Sequence, residues 1–144
     1  QAHAYINRIS GPLLDRFDIQ VEVAPVEYEH LSSGAKEESS EAIRERVQAA
    51  REIQQKRFAG TDITCNAMIT PDILHDVCPM TDEASVMLKN VFEKMGLSAR
   101  AYDRILKVAR TVADMEGEEA IGKSHIARAV QFRSLDRKYW GAGK

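Results

Sequence analysis

Leu-Ser-Ala-Arg-Ala-Tyr-Asp-Arg-Ile-Leu-Lys-Val-Ala-Arg-Thr-Val-Ala-Asp-Met, residues 97–115, is the stretch that decides the predicted fold. Ser98 suits the N-cap of a helix, because its hydroxyl can accept a hydrogen bond from a backbone N–H of the first turn. Apolar residues then recur every three or four positions, which is typical of a helix with one buried face. The inward positions on this pattern are Tyr102, Ile105, Leu106, Ala109, Val112, Ala113 and Met115.

Four further segments between Ser39 and Lys138 carry helical signals, so neighbouring helices can cover that face. The first begins at Ser39 or Ser40, the second opens at Thr70-Pro71, the third is capped by Thr81 or Asp82 and ends at Gly96, and the last runs from Ser124 to about Lys138. The fold class is therefore mainly α, a helical bundle. Its further inward positions are predicted to be Ile43, Val47, Ala50, Ile53 or Gln54, Phe58, Ala84, Leu88, Val91, Phe92, Met95, Ile126, Ala129, Val130 and Leu135.

The N-terminal part differs from the rest, because residues 19–23 alternate between apolar and polar and predict a short strand whose buried face carries Ile19, Val21 and Val23. A proline-led helical turn precedes this strand, and Arg16 lies where the turn gives way to it. A charge at such a boundary can reach outside its own domain. The alternative is an ordinary ion pair with Asp15 or Asp18.

Composition limits the possible classes of function. At 144 residues, 44% of them hydrophobic, the chain is long enough for one globular domain. Lys and Arg number 20 against 22 Asp and Glu, so the net charge gives no global reason to expect a nucleic-acid or membrane partner. Cys65 and Cys78 fit a reducing compartment, and the four histidines lack metal-ligand spacing. Because the chain starts at Gln1, we expect a piece of a longer protein.

Residues Gly117 to Ser124 match the phosphate-loop pattern G-x-x-x-x-G-K-S letter for letter. A working phosphate loop follows a buried strand, whereas helical periodicity precedes Gly117. Glu118 and Glu119 would also place negative charge where a polyphosphate must lie. We therefore predict an ordinary joint between two helices, with Ser124 as the N-cap of the second.

Arg100 is unusual because it falls in the first turn of the helix capped by Ser98, where the helix dipole disfavours a cation by about 0.3–1 kcal/mol. One explanation is that Asp103, three residues on, neutralises it. The other is that a guanidinium at a helix N-terminus forms a site for a phosphate, with Arg104 and Lys107 continuing on the same face.

Three stretches together resemble a known family: Ile-Ser-Gly-Pro-Leu-Leu-Asp-Arg-Phe-Asp (9–18), Leu-Ser-Ala-Arg-Ala-Tyr-Asp-Arg-Ile-Leu-Lys-Val-Ala-Arg-Thr-Val-Ala-Asp (97–114) and Ala-Val-Gln-Phe-Arg-Ser-Leu-Asp-Arg (129–137). They look like the C-terminal part of magnesium-chelatase-like AAA+ ATPases of the competence-associated (ComM/YifB) type. The resemblance implies residues 1–26 as the edge of an α/β AAA+ core, with its last strand, 27–38 as a linker and 39–144 as the helical lid.

The same resemblance implies roles for two residues: Arg16 corresponds to the arginine finger, which acts on the neighbouring subunit's ATP, and Arg100 to the sensor-2 arginine. It further implies a cytoplasmic ring, usually hexameric, that uses ATP and Mg²⁺ in a DNA-processing motor. The isolated chain is expected neither to hydrolyse ATP nor to bind it tightly, and no metal site or membrane contact is expected. The rival prediction is a free-standing helical adaptor or DNA-binding bundle that uses Arg44, Arg51, Lys56 and Arg57.

Overall fold

The computed structural model describes residues 13, 16–26, 28 and 37–133, and these ranges contain a bundle of α-helices. The prediction of a mainly α fold is confirmed. The helices are α1 (Ser40–Arg57), α2 (Leu74–Val77), α3 (Asp82–Met95), α4 (Ala99–Glu116) and α5 (Lys123–Gln131), and a short 3-10 turn covers Asn66–Met68.

Helix α4 lies at the centre of the bundle. It packs against α1, α5 and the 3-10 turn, while α3 packs against α5. Ile105, Leu106, Ala109 and Ala113 on its inner face are buried. The core around them is completed by Phe58, Ile69, Leu74, Cys78, Ala84, Leu88, Ile121, Ile126 and Ala129. The periodicity of residues 97–115 therefore identifies the element that the other helices cover.

Three helix starts and one helix end follow the sequence signals. The hydroxyls of Ser39, Thr81 and Ser98 each accept a hydrogen bond from the backbone N–H three residues on, at 3.2, 3.2 and 3.1 Å. Gly96 ends α3 with a φ of +60°, a left-handed conformation in which a side chain would be strained. The chain therefore turns tightly from α3 into α4.

The limits predicted for the last helix are wrong. Helix α5 begins at Lys123 with Gly122 as its N-cap, so Ser124 is an exposed residue inside the first turn. The Gly122 N–H is satisfied by Nδ1 of His125 at 2.9 Å, which leaves Ser124 no capping role. The helix ends at Gln131, earlier than predicted. Leu135 lies outside the described residues.

The loops before α3 and α5 are joined by a single parallel bridge between Met80 and Ile121. The Ile121 N–H donates to the Pro79 carbonyl at 2.7 Å, and the Thr81 N–H donates to the Ile121 carbonyl at 3.0 Å. Ile121 is fully buried. The bridge fixes the starts of α3 and α5 side by side.

The strand predicted over residues 19–23 does not form in the described part of the chain. Its burial is also the reverse of the prediction, since Ile19, Val21 and Val23 are 53%, 62% and 85% exposed while Gln20 is buried. The physical reason is that no described segment lies alongside as a neighbouring strand. Instead the Gln20 N–H donates to the carbonyl of Phe132 at 2.8 Å, just after α5.

Four residues predicted to face inward are exposed. Ile43 and Val47 lie in the first half of α1, where every residue from 37 to 49 is exposed because the covered part of the helix begins at Ala50. Phe92 is at the surface, although its ring makes an edge-to-face contact with the ring of Tyr102. Met115 is exposed near the end of α4. Helical spacing alone could not show where the covering neighbours stop.

Candidate functional site

A cleft of about 550 Å³ lies between the segment around residues 18–19 and the outer face of α4 and α5. We call it the arginine cleft. Its rim carries four basic side chains, Arg100, Arg104, Lys107 and Arg128, against two acidic ones, Asp18 and Asp103. Its floor is largely apolar, formed by Ile19, Val108, Val112, Met115 and Phe132. The balance of charge favours an anionic ligand, and the floor can cover an apolar part of it.

Arg100 is the second residue of α4 and its side chain is exposed at this rim. It makes no hydrogen bond or ion pair with any described residue, so the predicted alternative, neutralisation by Asp103, is not observed. The first turn of a helix has unpaired N–H groups and a positive dipole, which disfavours a cation there unless an anion is also present. The described residues supply no such anion for Arg100.

The other three cations of the arginine cleft have partners. Arg104 donates to the carboxylate of Asp18, and Arg128 donates to Glu116 at 2.9 Å. The Lys107 amine donates to the Ala67 carbonyl at 3.4 Å. Among the described residues, Arg100 is thus the one cation of this cleft whose side chain makes neither a hydrogen bond nor an ion pair.

Arg16 lies in a turn whose backbone N–H donates to the Leu13 carbonyl at 3.0 Å. Its side chain is exposed and does not belong to the lining of the arginine cleft. Of the two predicted partners, Asp18 is paired with Arg104 instead, and Asp15 lies outside the described residues. The structure therefore does not bring Arg16 and Arg100 together in one site, and the guanidinium of Arg16 points to no acceptor in the described ranges.

A buried ionic cluster that was not predicted from the sequence surrounds Asp114, whose side chain is completely buried in α4. Arg57 of α1 binds both carboxylate oxygens, at 2.8 Å for the Nη1–Oδ2 contact. Asn66 of the 3-10 turn donates to Oδ2 at 2.7 Å, and Arg110 donates from Nε to Oδ1 at 3.1 Å. The cluster ties α1, the 3-10 turn and α4 together.

Arg110 is buried in the same cluster, and burial lowers the pKa of its guanidinium while the Asp114 carboxylate opposes that shift. Its two terminal nitrogens donate to the backbone carbonyls of Glu118 and of Glu119, the latter at 2.6 Å. The signal that could have revealed the pair is an Arg and an Asp four residues apart on the inward stripe of α4. The role of this cluster is structural, since all of its contacts join residues inside the bundle.

The segment that matches the phosphate-loop pattern is a joint between α4 and α5, as predicted. It follows a helix instead of a strand, and four of its backbone N–H groups are occupied. The N–H groups of Gly117, Glu118 and Ile121 donate to carbonyls at 3.2, 2.9 and 2.7 Å, and that of Gly122 to His125. A phosphate loop needs free N–H groups, so this segment does not suit a polyphosphate.

The basic residues of the rival prediction do not form a uniform surface. Arg57 is engaged with Asp114 and Asn66. Arg44, Arg51 and Lys56 are exposed on α1, which also carries exposed Glu41, Glu45 and Glu52. Mixed charge along a helix is typical of a solvated face and weakens the case for nucleic-acid binding.

Two other features concern metals and membranes. Within residues 13, 16–26, 28 and 37–133, no three His, Cys, Asp or Glu side chains come together as a metal site would require. Every helix in those ranges is too short or too polar to cross a lipid bilayer.

Both cysteines are free, and burial raises the pKa of the Cys78 thiol to about 11, so it stays protonated at neutral pH.

The fold and the arginine cleft define a small helical domain with a basic cleft beside its central helix. The chain belongs to the magnesium chelatase family: the family model described as "Magnesium chelatase, subunit ChlI C-terminal" matches residues 37–133, which include the whole bundle. A second model, "Magnesium chelatase, subunit ChlI", matches residues 1–31. The resemblance on which the sequence analysis relied is thereby confirmed.

The curated relatives agree with this assignment. The chain is 41% identical over 138 residues to "Competence protein ComM" of Haemophilus influenzae, a match that covers 95% of this chain and 26% of that protein. It is 38% identical to the YifB proteins of Escherichia coli and Salmonella typhimurium, over 138 and 141 residues, with the same coverage. The chain thus spans about a quarter of the length of these relatives.

Proposed function

We propose that residues 39–144 act as the helical lid of a ring-forming AAA+ ATPase and that Arg100 contacts the phosphates of bound ATP. The observation that carries this proposal is the unpaired guanidinium of Arg100 in the first turn of α4, at the rim of the arginine cleft. An anion there would pair with the arginine and would be favoured by the positive end of the helix dipole. Family membership supports the same role.

The described residues suit part of an ATP·Mg²⁺ complex. The basic rim of the arginine cleft fits a polyphosphate, and Arg100 can approach it from α4. These residues do not suit the metal, because no acidic cluster capable of holding it lies in the described ranges. Mg²⁺ would neutralise charge on the phosphates when bound, and its ligands have to come from another part of the polypeptide. This is why the isolated chain is proposed to bind ATP only weakly.

Arg16 is proposed to serve as an arginine finger for the ATP of a neighbouring subunit. Its support is its exposed turn and the lack of any described partner for its side chain, together with the match of residues 1–31 to the chelatase family. A guanidinium supplied to a transferring phosphoryl group can accelerate hydrolysis by about 10³–10⁵-fold. The residues 1–26 that carry it are proposed to be the edge of the AAA+ core, and 27–38 the linker.

A finger that acts in a neighbour's site requires self-association, so the proposal includes a ring, usually a hexamer in proteins of this kind. The relative named as a competence protein supports a role in DNA processing, and DNA is the proposed substrate of the motor. The rival, a free-standing DNA-binding bundle, predicts that the isolated chain binds duplex DNA with an affinity that falls steeply with salt. Absence of such binding would favour the motor.

The test is Arg100→Ala in the full-length protein. Losing a charged hydrogen bond to phosphate costs about 1.5–3 kcal/mol, so we expect ATP hydrolysis at low ATP concentration to fall by about tenfold or more. Steady-state kinetics and nucleotide binding measure this. Arg44→Ala is the matched control, because Arg44 is equally exposed but lies on α1. Wild-type kinetics for Arg100→Ala would contradict the assignment.

A further inference from the structure

We propose that the ion pair between Asp18 and Arg104 is a positioning device that links the turn carrying Arg16 to the helix carrying Arg100. The inference rests on the proposed function and adds a regulatory element to it. Asp18 follows Arg16 by two residues, and Arg104 follows Arg100 by one turn of α4. A single contact therefore connects the immediate surroundings of both arginines.

The ion pair belongs to a small docking region in which the N-terminal segment is fixed on the bundle. The Gln20 N–H donates to the Phe132 carbonyl at 2.8 Å, and Arg133 donates from Nη1 to the Phe17 carbonyl at 3.2 Å. These two contacts hold backbone atoms of residues 17 and 20 against Phe132 and Arg133, the two residues that directly follow α5. The Asp18–Arg104 pair is a side-chain contact between this segment and α4 itself.

The ion pair between Asp18 and Arg104 can form and break without disrupting the fold. Its side chains are 50% and 25% exposed, so it is not a deeply buried ion pair that holds the fold together. Arg104 also faces the same cleft as Arg100. A phosphate bound at Arg100 would compete with Asp18 for the charge of Arg104, because the two guanidinium groups lie one turn apart on α4.

The consequence is a route between two nucleotide sites. On the proposed function, Arg100 contacts the ATP of its own subunit, while Arg16 reaches the ATP of the neighbour. When the ion pair between Arg104 and Asp18 weakens or breaks, the turn that orients Arg16 shifts. Asp18 is therefore a positioning residue, since it acts on the reaction through Arg104 and Arg16 and contacts no phosphate itself.

The experiment is Asp18→Asn in the full-length protein, measured by steady-state ATPase kinetics and by equilibrium nucleotide binding. Misplacing a catalytic group by about an ångström can cost up to 10²-fold in rate, so we expect kcat to fall by about tenfold. KM for ATP should not rise, because the substitution removes the competitor of the phosphate for Arg104. Asp18→Glu keeps the charge and should recover most of the rate. The melting temperature should stay that of the wild type.

The alternative makes the opposite prediction. If Asp18 merely places a negative charge beside the ATP site, its removal would lower KM and leave kcat unchanged, which would overturn the proposal. Glu38→Gln is the matched control, because Glu38 forms an ion pair of similar exposure with Arg46 and lies outside the cleft lining. If Arg16→Ala and Arg100→Ala both keep full turnover, the proposed function fails. If they lose it and Asp18→Asn does not, this inference alone fails.

Discussion

At the scale of single residues, Asp114 organises the charge inside the bundle. It is completely buried and accepts hydrogen bonds from Arg57, Arg110 and Asn66. A buried carboxylate is tolerated only when its charge and lone pairs are matched in this way. Because Arg110 also holds the carbonyls of Glu118 and Glu119, the same cluster fixes the joint between α4 and α5.

We predict that Asp114→Asn destabilises the chain by about 3–5 kcal/mol, because it removes the charge that compensates buried Arg110. Urea denaturation followed by circular dichroism measures the free energy of unfolding. Asp72→Asn is the control, since Asp72 is exposed and has no partner among the described residues, and its stability should match the wild type. A loss below about 1 kcal/mol for Asp114→Asn would show that the cluster contributes little.

At the scale of elements, helix α4 organises the bundle and the capping residues set the limits of the helices. Ser98 caps α4 through its hydroxyl. The N-cap of α5 is Gly122, whose N–H donates to the imidazole of His125. The His125 ring also contacts Glu116 at 2.9 Å through Nε2, which joins the end of α4 to the start of α5. Two serines near two helix starts thus have different roles.

We predict that Ser98→Ala lowers the free energy of unfolding by about 1 kcal/mol, through loss of the N-cap hydrogen bond. Ser124→Ala should change it by less than about 0.5 kcal/mol, since Ser124 is exposed in the first turn of α5 and caps nothing. The two substitutions are chemically identical and serve as controls for each other in one set of thermal melts. Equal losses would contradict the assignment of Gly122 as the N-cap.

The positions of the helices were more predictable from the sequence than the burial of their side chains by neighbouring helices. Most of the α4 stripe and the cap at Ser98 follow from local chemistry and occur as predicted, and Ser39 and Thr81 are the caps within the two pairs of candidates. The exposure of Ile43 and Met115 depends on where neighbouring helices stop, which spacing does not encode. The segment 19–23 shows the same limit, because a strand needs a partner strand as well as an alternating pattern.

The candidate site was only partly predictable for a related reason. Arg100 was identified because a cation in the first turn of a helix breaks a local electrostatic rule. The arginine cleft itself depends on tertiary contacts across the chain, such as the pairing of Asp18 with Arg104, which are 86 positions apart. Nothing in local spacing indicates that Asp18 selects Arg104 instead of Arg16.

At the scale of the whole molecule, the chain presents two arginines at different surfaces. Arg100 lies at the rim of the arginine cleft and Arg16 lies in an exposed turn outside its lining. This separation agrees with the proposal that they serve different nucleotides, one in the same subunit and one in the next. The chain covers about a quarter of its relatives' length.

The central claim is tested most directly by Arg16→Ala in the full-length protein, measured as ATP turnover beside equilibrium binding of ATP. A finger acts on the charge that develops during hydrolysis, so we expect a loss of at least about 10³-fold in kcat with ATP affinity largely intact. Normal turnover in Arg16→Ala would contradict it and remove Arg16 from the site.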